Sequence, residues 1–363
     1  MKQIKLFLNN KRGNKMKQIK FLIFILISIL ILSCSSNEQI KPVPLSGYSF
    51  LERISVPPNA VWLVAVASNG DVWAVNHVFG GIGVFDINHE ADDVNVSIVY
   101  LSTDNGNTWI EKFSLPLVGR GSIAINPING YVFFTNNMWL YRSTDRGENW
   151  VRVANILPIY DIAITASGEI YMGTEENILY STDNGDTWIE KGNIPFASSN
   201  HYLLALGIDS TLYAGSGPVA PKGVYRSTDG GATWLPSSNY TDVQIRELTI
   251  SDDGSIFAIT SNNTGSGNVI KSTDRGNTWI PVYNGSGAGT IIYNTITEDL
   301  FATFEVFYNN YSVTIIYKST DLGASWELED RGGPSIYNFA FNPITGQMFA
   351  ATSDGVYRSR GRW

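Results

Sequence analysis

The segment "DIAITASGEIYMGTEENILYSTDNGDTWIEKG", Asp161 to Gly192, decides the fold. It reads as an apolar strand, a Ser-Gly turn, a second strand ending "IYMGT", a third strand "ILYS", a polar turn and a fourth strand opening "TWIEK". Residues alternate as strand residues do, and no helical stripe runs through them. Four short strands in about 40 residues are one repeat unit, and the question is how often the unit recurs.

It recurs down the chain. The turn "STDNGDTW" from Ser181 has counterparts in "STDNGNTW" from Ser102, "STDRGENW" from Ser143, "STDGGATW" from Ser227, "STDRGNTW" from Ser272 and "STDLGASW" from Ser319. The six aspartates Asp104, Asp145, Asp183, Asp229, Asp274 and Asp321 are spaced by 41, 38, 46, 45 and 47 residues. An eroded seventh copy, "VYRSRGRW", puts Trp363 37 residues after Trp326. Four strands at this period predict an all-β, seven-bladed β-propeller over residues 48–363. "FLERISVP" from Phe50 aligns with "WIEKFSLP" from Trp109, so residues 49–55 are expected to supply the missing fourth strand of the last blade and close the ring.

The repeated turn resembles the Asp-box, or BNR repeat, of bacterial sialidases, sortilin-type receptors, xyloglucanases and photosystem-assembly propellers. That resemblance implies a structural turn between third and fourth strands. Ser and Asp side chains are suited to bond turn amides, and Gly supplies a positive φ. The tryptophans Trp109, Trp150, Trp188, Trp234, Trp279 and Trp326 are expected to bury their rings against a neighbouring blade. Chemistry needs one convergent site, whereas these carboxylates are spread around a perimeter, so they read as construction.

Composition narrows the partners. With 44% hydrophobic and 16% charged residues, the chain can build a large core. Residues 1–33 hold seven basic and no acidic side chains; taking those seven from 25 leaves 18 basic against 33 acidic, a net of −15. Such a body repels phosphate backbones, which argues against nucleic acid. Lys17 and Lys20 precede the apolar run Phe21 to Leu32, which reads as an export signal. Met16 repeats the opening "MKQIK" and is an alternative start. The run ends "ILSCSS", which resembles a lipoprotein lipobox and implies lipidation of Cys34, the only cysteine. Residues 1–33 are thus a signal peptide and 34–47 a flexible tether. The implied location is the bacterial cell envelope, lipid-anchored at the outer membrane and facing either the periplasm or the surface. A monomer is expected, with no cofactor and no metal.

In a four-stranded blade the second-to-third loops and the inter-blade connections share one face, and here they vary. Blade one carries an insertion around His77 to Val96, and blades four to six carry "GSGPVAPKG", "TSNNTGSGN" and "FEVFYNNYS". On that face, at the starts of the inner strands, stand Trp62, Arg120, Tyr160, Asp161, His201, Tyr202, Arg246, Glu247 and Tyr337. Aromatics, two Arg and two carboxylates around one funnel fit a glycan or a polar ligand; docking of a partner protein on the rim loops is the competing use. The expected function is therefore a binding or assembly module, with a sialidase-like or xyloglucanase-like glycoside hydrolase as the alternative. The sialidase resemblance implies an arginine triad, which Arg120, Arg246 and Arg331 fit poorly, and a "FRIP"-type motif is absent. Xyloglucanases of the resembled type pair two propellers around a cleft, and one is present here.

Overall fold

The computed structural model describes residues 48–54, 60–78, 96–116, 121–136, 138–154, 159–194, 202–217, 222–261, 266–287, 289–308 and 311–361. The signal peptide, Cys34, the tether and Trp363 lie outside these residues, as do Arg120 and His201. Among these residues twenty-eight strands form seven four-stranded antiparallel sheets; in six the strands follow chain order from the inside out, and in the last the outermost strand is the first of the chain. The chain is a seven-bladed β-propeller.

The blades explain the burial pattern. Second strands are buried along their whole length, as in "VFFT" (Val132–Thr135), "IYMGT" (Ile170–Thr174) and "IFAITS" (Ile256–Ser261), because a neighbouring blade covers each face. Fourth strands such as Ile189–Asn193 lie largely open at the perimeter. Seven apolar clusters follow, and each straddles one seam between adjacent blades. The core is therefore a ring of interfaces around a channel.

Ring closure matches the expectation, with a shorter strand. Leu51–Arg53 pairs antiparallel with Gly355–Ser359, giving the last blade its outer strand. Asp330 on blade 6 holds the incoming chain. Its carboxylate accepts bonds from the amides of Ser49 (3.2 Å) and Phe50 (2.7 Å) and from the Ser49 hydroxyl (3.0 Å). Tyr48 donates its hydroxyl to the Pro334 carbonyl, and Arg358 pairs with Glu52 at 2.8 Å.

The repeated turn has one geometry in all six copies. In each, the Ser hydroxyl donates to Asp Oδ1 and accepts the Gly amide. The residue before Trp donates its amide to Oδ1 and its side chain to Oδ2. Bonds from Thr108 hold Asp104 down at about 2, and the same arrangement lowers the other five. These carboxylates are occupied by their own turns. The tryptophans do pack across the seams: Trp150 stacks on Phe113 of blade 1 at 5.0 Å. Burial is less complete than expected, however. Trp279 is enclosed (1% exposed), while the other five are half-buried because they sit at the open perimeter.

One feature escaped the sequence reading. The residue before the turn glycine also has positive φ: Asn105, Arg146, Asn184, Arg275 and Leu322 adopt values of 54–61°. This conformation is unfavourable for a side chain. Its use lies in the contacts made toward the preceding blade. Arg146 grips Asp71 at 2.6 and 2.8 Å, Asn184 accepts from Asn126 and Asn129, Asn105 from Asn342 and Thr345, and Arg275 pairs with Asp209.

A second departure concerns blade 6. "FEVFYNNYS" is mostly strand, because Asp299–Tyr308 and Tyr311–Ser319 form one long hairpin pairing up to Tyr308 and Tyr311. Its run of aromatic and β-branched residues favours pairing over a loop.

Closure can be tested by truncation. Leu51, Tyr48 and Ile54 are buried, and losing each removes roughly 2 kcal/mol of apolar burial. A chain beginning at Tyr48 is expected to melt with the full mature protein. One beginning at Pro57 should melt roughly 10 °C or more lower, or self-associate through the bared edge. Equal melting temperatures by circular dichroism would refute the latch.

Candidate functional site

Inner strands begin earlier than the sequence indicates, at Val61, Ile159, Gln244 and Ile336 in blades 1, 3, 5 and 7. In each of these blades the pairing slips by one residue near the strand start: between Val61 and Leu63, Ile159 and Asp161, Ile245 and Glu247, and Ile336 and Asn338. The extra residues are Trp62, Tyr160, Arg246 and Tyr337. Four of the predicted site residues are therefore β-bulge residues at one equivalent position around the channel. Bulges re-aim side chains and recur beside functional sites. The described registers of blades 2, 4 and 6 show no such slip.

Seven is odd, so bulged blades 7 and 1 are neighbours. There Trp62 and Tyr337 stack at 4.3 Å between ring centroids, with planes 7° apart. Buried His77 lies 6.0 Å from Trp62; its Nδ1 meets Ser97 Oγ at 2.9 Å, and burial lowers it to about 4, so the ring is neutral. Arg246 is exposed and has no hydrogen bond or ion pair among the described residues. Glu175 faces Tyr160 and Glu305 faces Tyr337 closely enough to raise both phenols alongside their burial.

The residue after each bulge turns toward the next blade. Asp161 Oδ2 accepts the Leu204 amide at 2.9 Å and its Oδ1 the Ile162 amide at 2.8 Å, with Ser122 as a further partner. Asn338 Oδ1 accepts the Val64 amide at 2.9 Å. An inner strand is a sheet edge, and these side chains satisfy its free amides. Glu247 bonds its neighbour's amide and Thr290. Burial, with Asp161 adding to it, pushes the Glu247 carboxyl up to about 8.

The remaining predicted residues separate. Tyr202 pairs with Ser216 on the inner strand of blade 4, and its side chain is not described. Arg331 lies on the outermost strand of blade 6, apart from the inner-strand starts, so the arginine triad does not assemble. Among the described residues, no group of three or more His, Cys, Asp or Glu converges as a metal site would require.

No family model matches the chain. A xyloglucanase of Hypocrea jecorina (strain QM6a) is 40% identical over 93 residues, 24% of this chain. One from Paenibacillus sp is 26% identical over 173 residues, 44% of this chain. The chain spans only 10% and 17% of the lengths of these two relatives. Among solved structures, a GH74 enzyme of Niastella koreensis superposes with a TM-score of 0.64 at 16% identity, over 85% of this chain and 53% of that one. YCF48 from Cyanidioschyzon merolae does so at 0.59 and 16%, over 86% and 99%. At these identities the structural likenesses establish the fold.

Glu247 supplies a stability test. A carboxyl raised from its unfolded value near 4.5 toward 8 stabilises the fold below about 4.5, and that contribution is lost as pH rises to about 8. Glu247→Gln should therefore match the parent's melting temperature at about pH 4 and exceed it increasingly as pH rises to about 8. A constant difference across that range would contradict the assigned burial.

Proposed function

We propose that this chain is a glycan-directed propeller working at the mouth of its channel, and that its chemistry is hydrolysis of a glucan of the xyloglucan type. The local identity to two xyloglucanases carries this reading. The mouth supports it with aromatic rings able to lie against sugar faces, and with a carboxyl that stays protonated at pH 7. Glu247 is the proton donor in this reading. Asp161, whose carboxyl is also raised by burial, is the second acidic group of the site.

A binding module without turnover is the second reading, and Asp161 favours it. Glycoside hydrolysis ordinarily needs a second carboxylate as base or nucleophile. Both Asp161 oxygens are committed to backbone amides, which suits a structural clamp better. YCF48, which the chain spans almost whole, has also been solved bound to D1 peptide. A protein partner on the long blade 6 hairpin, which carries Phe307 and Tyr308, belongs to this second reading.

The repeated turns fit Asp-box, or BNR, repeats in sequence and in hydrogen bonding. The mature protein in this proposal begins at a lipidated Cys34 and is held at the bacterial outer membrane as a monomer, without nucleic-acid partners.

Incubation with xyloglucan polymer and its oligosaccharides separates the readings. Hydrolysis predicts new reducing ends, lost about 10²–10⁴-fold in Glu247→Gln with binding retained. A binding module predicts retention on a xyloglucan gel and no release. The absence of both retention and turnover would sink the xyloglucan assignment. For anchoring, Cys34→Ser should move the protein from the membrane to the soluble fraction or leave it unprocessed. Unchanged membrane partition would refute the lipid.

A further inference from the structure

We propose that the channel mouth selects a glycan bearing carboxylate groups, with Arg246 as the residue that reads the acid and the Trp62–Tyr337 stack as a platform for a sugar ring. This rests on the glycan reading of the same site and adds the ligand's charge: a xyloglucan-type backbone is taken there only in a form that carries acidic sugar branches.

Four equivalent bulges place Trp62, Tyr160, Arg246 and Tyr337 at the same end of their inner strands, with Tyr160 packed against the seam between blades 3 and 4. Rings suit the apolar faces of sugars; a guanidinium in their company suits an anion. The surroundings of Arg246 make the case. Acidic residues outnumber basic ones in this chain, 33 to 25. Arg53, Lys112, Arg142, Arg146, Arg275, Lys318 and Arg358 all have carboxylate partners. Arg246 is exposed without one, although the next residue is a glutamate. That glutamate turns back to the Leu248 amide and Thr290, leaving the guanidinium unengaged.

Glu175 lies near Tyr160 and Glu305 near Tyr337, and they set where an anion can sit. Exposed charges are screened over about 8 Å at physiological salt, whereas a guanidinium and a carboxylate in direct contact form two parallel charge-assisted bonds. A ligand carboxylate is repelled from the Glu175 and Glu305 sides and held at Arg246. One attractive and two repulsive positions define a single register for an acidic chain lying across the opening.

The experiment compares hexagalacturonate and a glucuronic-acid-substituted xylan oligosaccharide, each with its carboxyl-reduced twin, and a neutral xyloglucan oligosaccharide. Binding is measured by calorimetry to the wild type, Arg246→Gln, Arg246→Lys and Trp62→Ala, with melting curves confirming that each variant is folded. The expected result is at least tenfold tighter binding of an acidic glycan than of its reduced twin. Arg246→Gln should level the two by weakening the acidic one alone, Arg246→Lys should restore part of the preference, and Trp62→Ala should weaken both. Equal binding of the twins, a preference surviving Arg246→Gln, or binding of the neutral oligosaccharide alone overturns the acid-reading role and leaves the glycan reading standing. Binding of none of the five overturns both.

Discussion

A propeller has no centre to collapse upon. Its stability resides in seams, and a ring of seven seams exists only if the last is made. Here that seam is closed by Leu51–Arg53 pairing with Gly355–Ser359 and by the Asp330 carboxylate gripping the chain just before it enters the sheet. These contacts join residues almost 300 positions apart, so their loop-closure entropy is large and must be offset at one place. Leu51, Ile54 and Tyr48, all buried, contribute the apolar part of that offset. Without it, blade 7 would expose an edge and the cluster between blades 7 and 1 would lose Ile54 from one wall.

Seams of similar shape raise a problem of order, because blades built from one repeat could pack on the wrong neighbour. The strained residue that five of the six turns carry bears on this. Arg146 faces Asp71, Arg275 faces Asp209, Asn184 faces two asparagines, and Asn105 faces Asn342 and Thr345. An Arg–Asp seam and an Asn–Asn seam are not interchangeable, since swapping them leaves a charge or an amide unmet. The basic residue preceding the turn serine adds a second contact of the same sense. Arg142, Arg226, Lys271 and Arg358 each donate to the carbonyl of that residue in the following blade. The backbone conformation that costs local energy is also the one that aims this residue across the seam.

Fold and turn were legible in the sequence because both are periodic. The motif marks the third turn of every blade, and the alternation between motifs marks strands, so blade number and the borrowed strand could be read from spacing. The site was legible only in part. Trp62, Tyr160, Arg246 and Tyr337 could be named from their place near inner-strand starts, yet nothing in the letters distinguishes a bulge residue from a strand residue. The strand bounds were misjudged for the same reason, since "IYDIAI" and "IRELTI" look like unbroken strands from either end. The blade 6 hairpin reads as a loop because "YNNY" interrupts the apolar run, whereas the two strands pair as far as Tyr308 and Tyr311. The coupling of Asp161 to Glu247 joins residues in different blades and has no sequence signature at all.

The bulges tie the ring's construction to its chemistry. An inner strand leaves amides facing the channel, and in blades 3 and 7 the side chains of Asp161 and Asn338 cross to the next blade to satisfy them. A bulge turns one residue toward that task and leaves its neighbour to face the opening. Structure therefore takes Asp161 and Asn338, while Tyr337 is left to stack on Trp62 and Tyr160 to lie against the seam between blades 3 and 4. Alternation around an odd ring then breaks the symmetry: bulged blades meet once, at the seam between blades 7 and 1, and there the Trp62–Tyr337 stack forms. Because that seam is also the one closed by the N-terminal strand, the aromatic platform depends on ring closure as well as on its own residues. A mouth with one aromatic stack and one unengaged guanidinium is polar in the geometric sense, so under the proposed glycan reading a chain-like ligand crossing it would have a preferred direction.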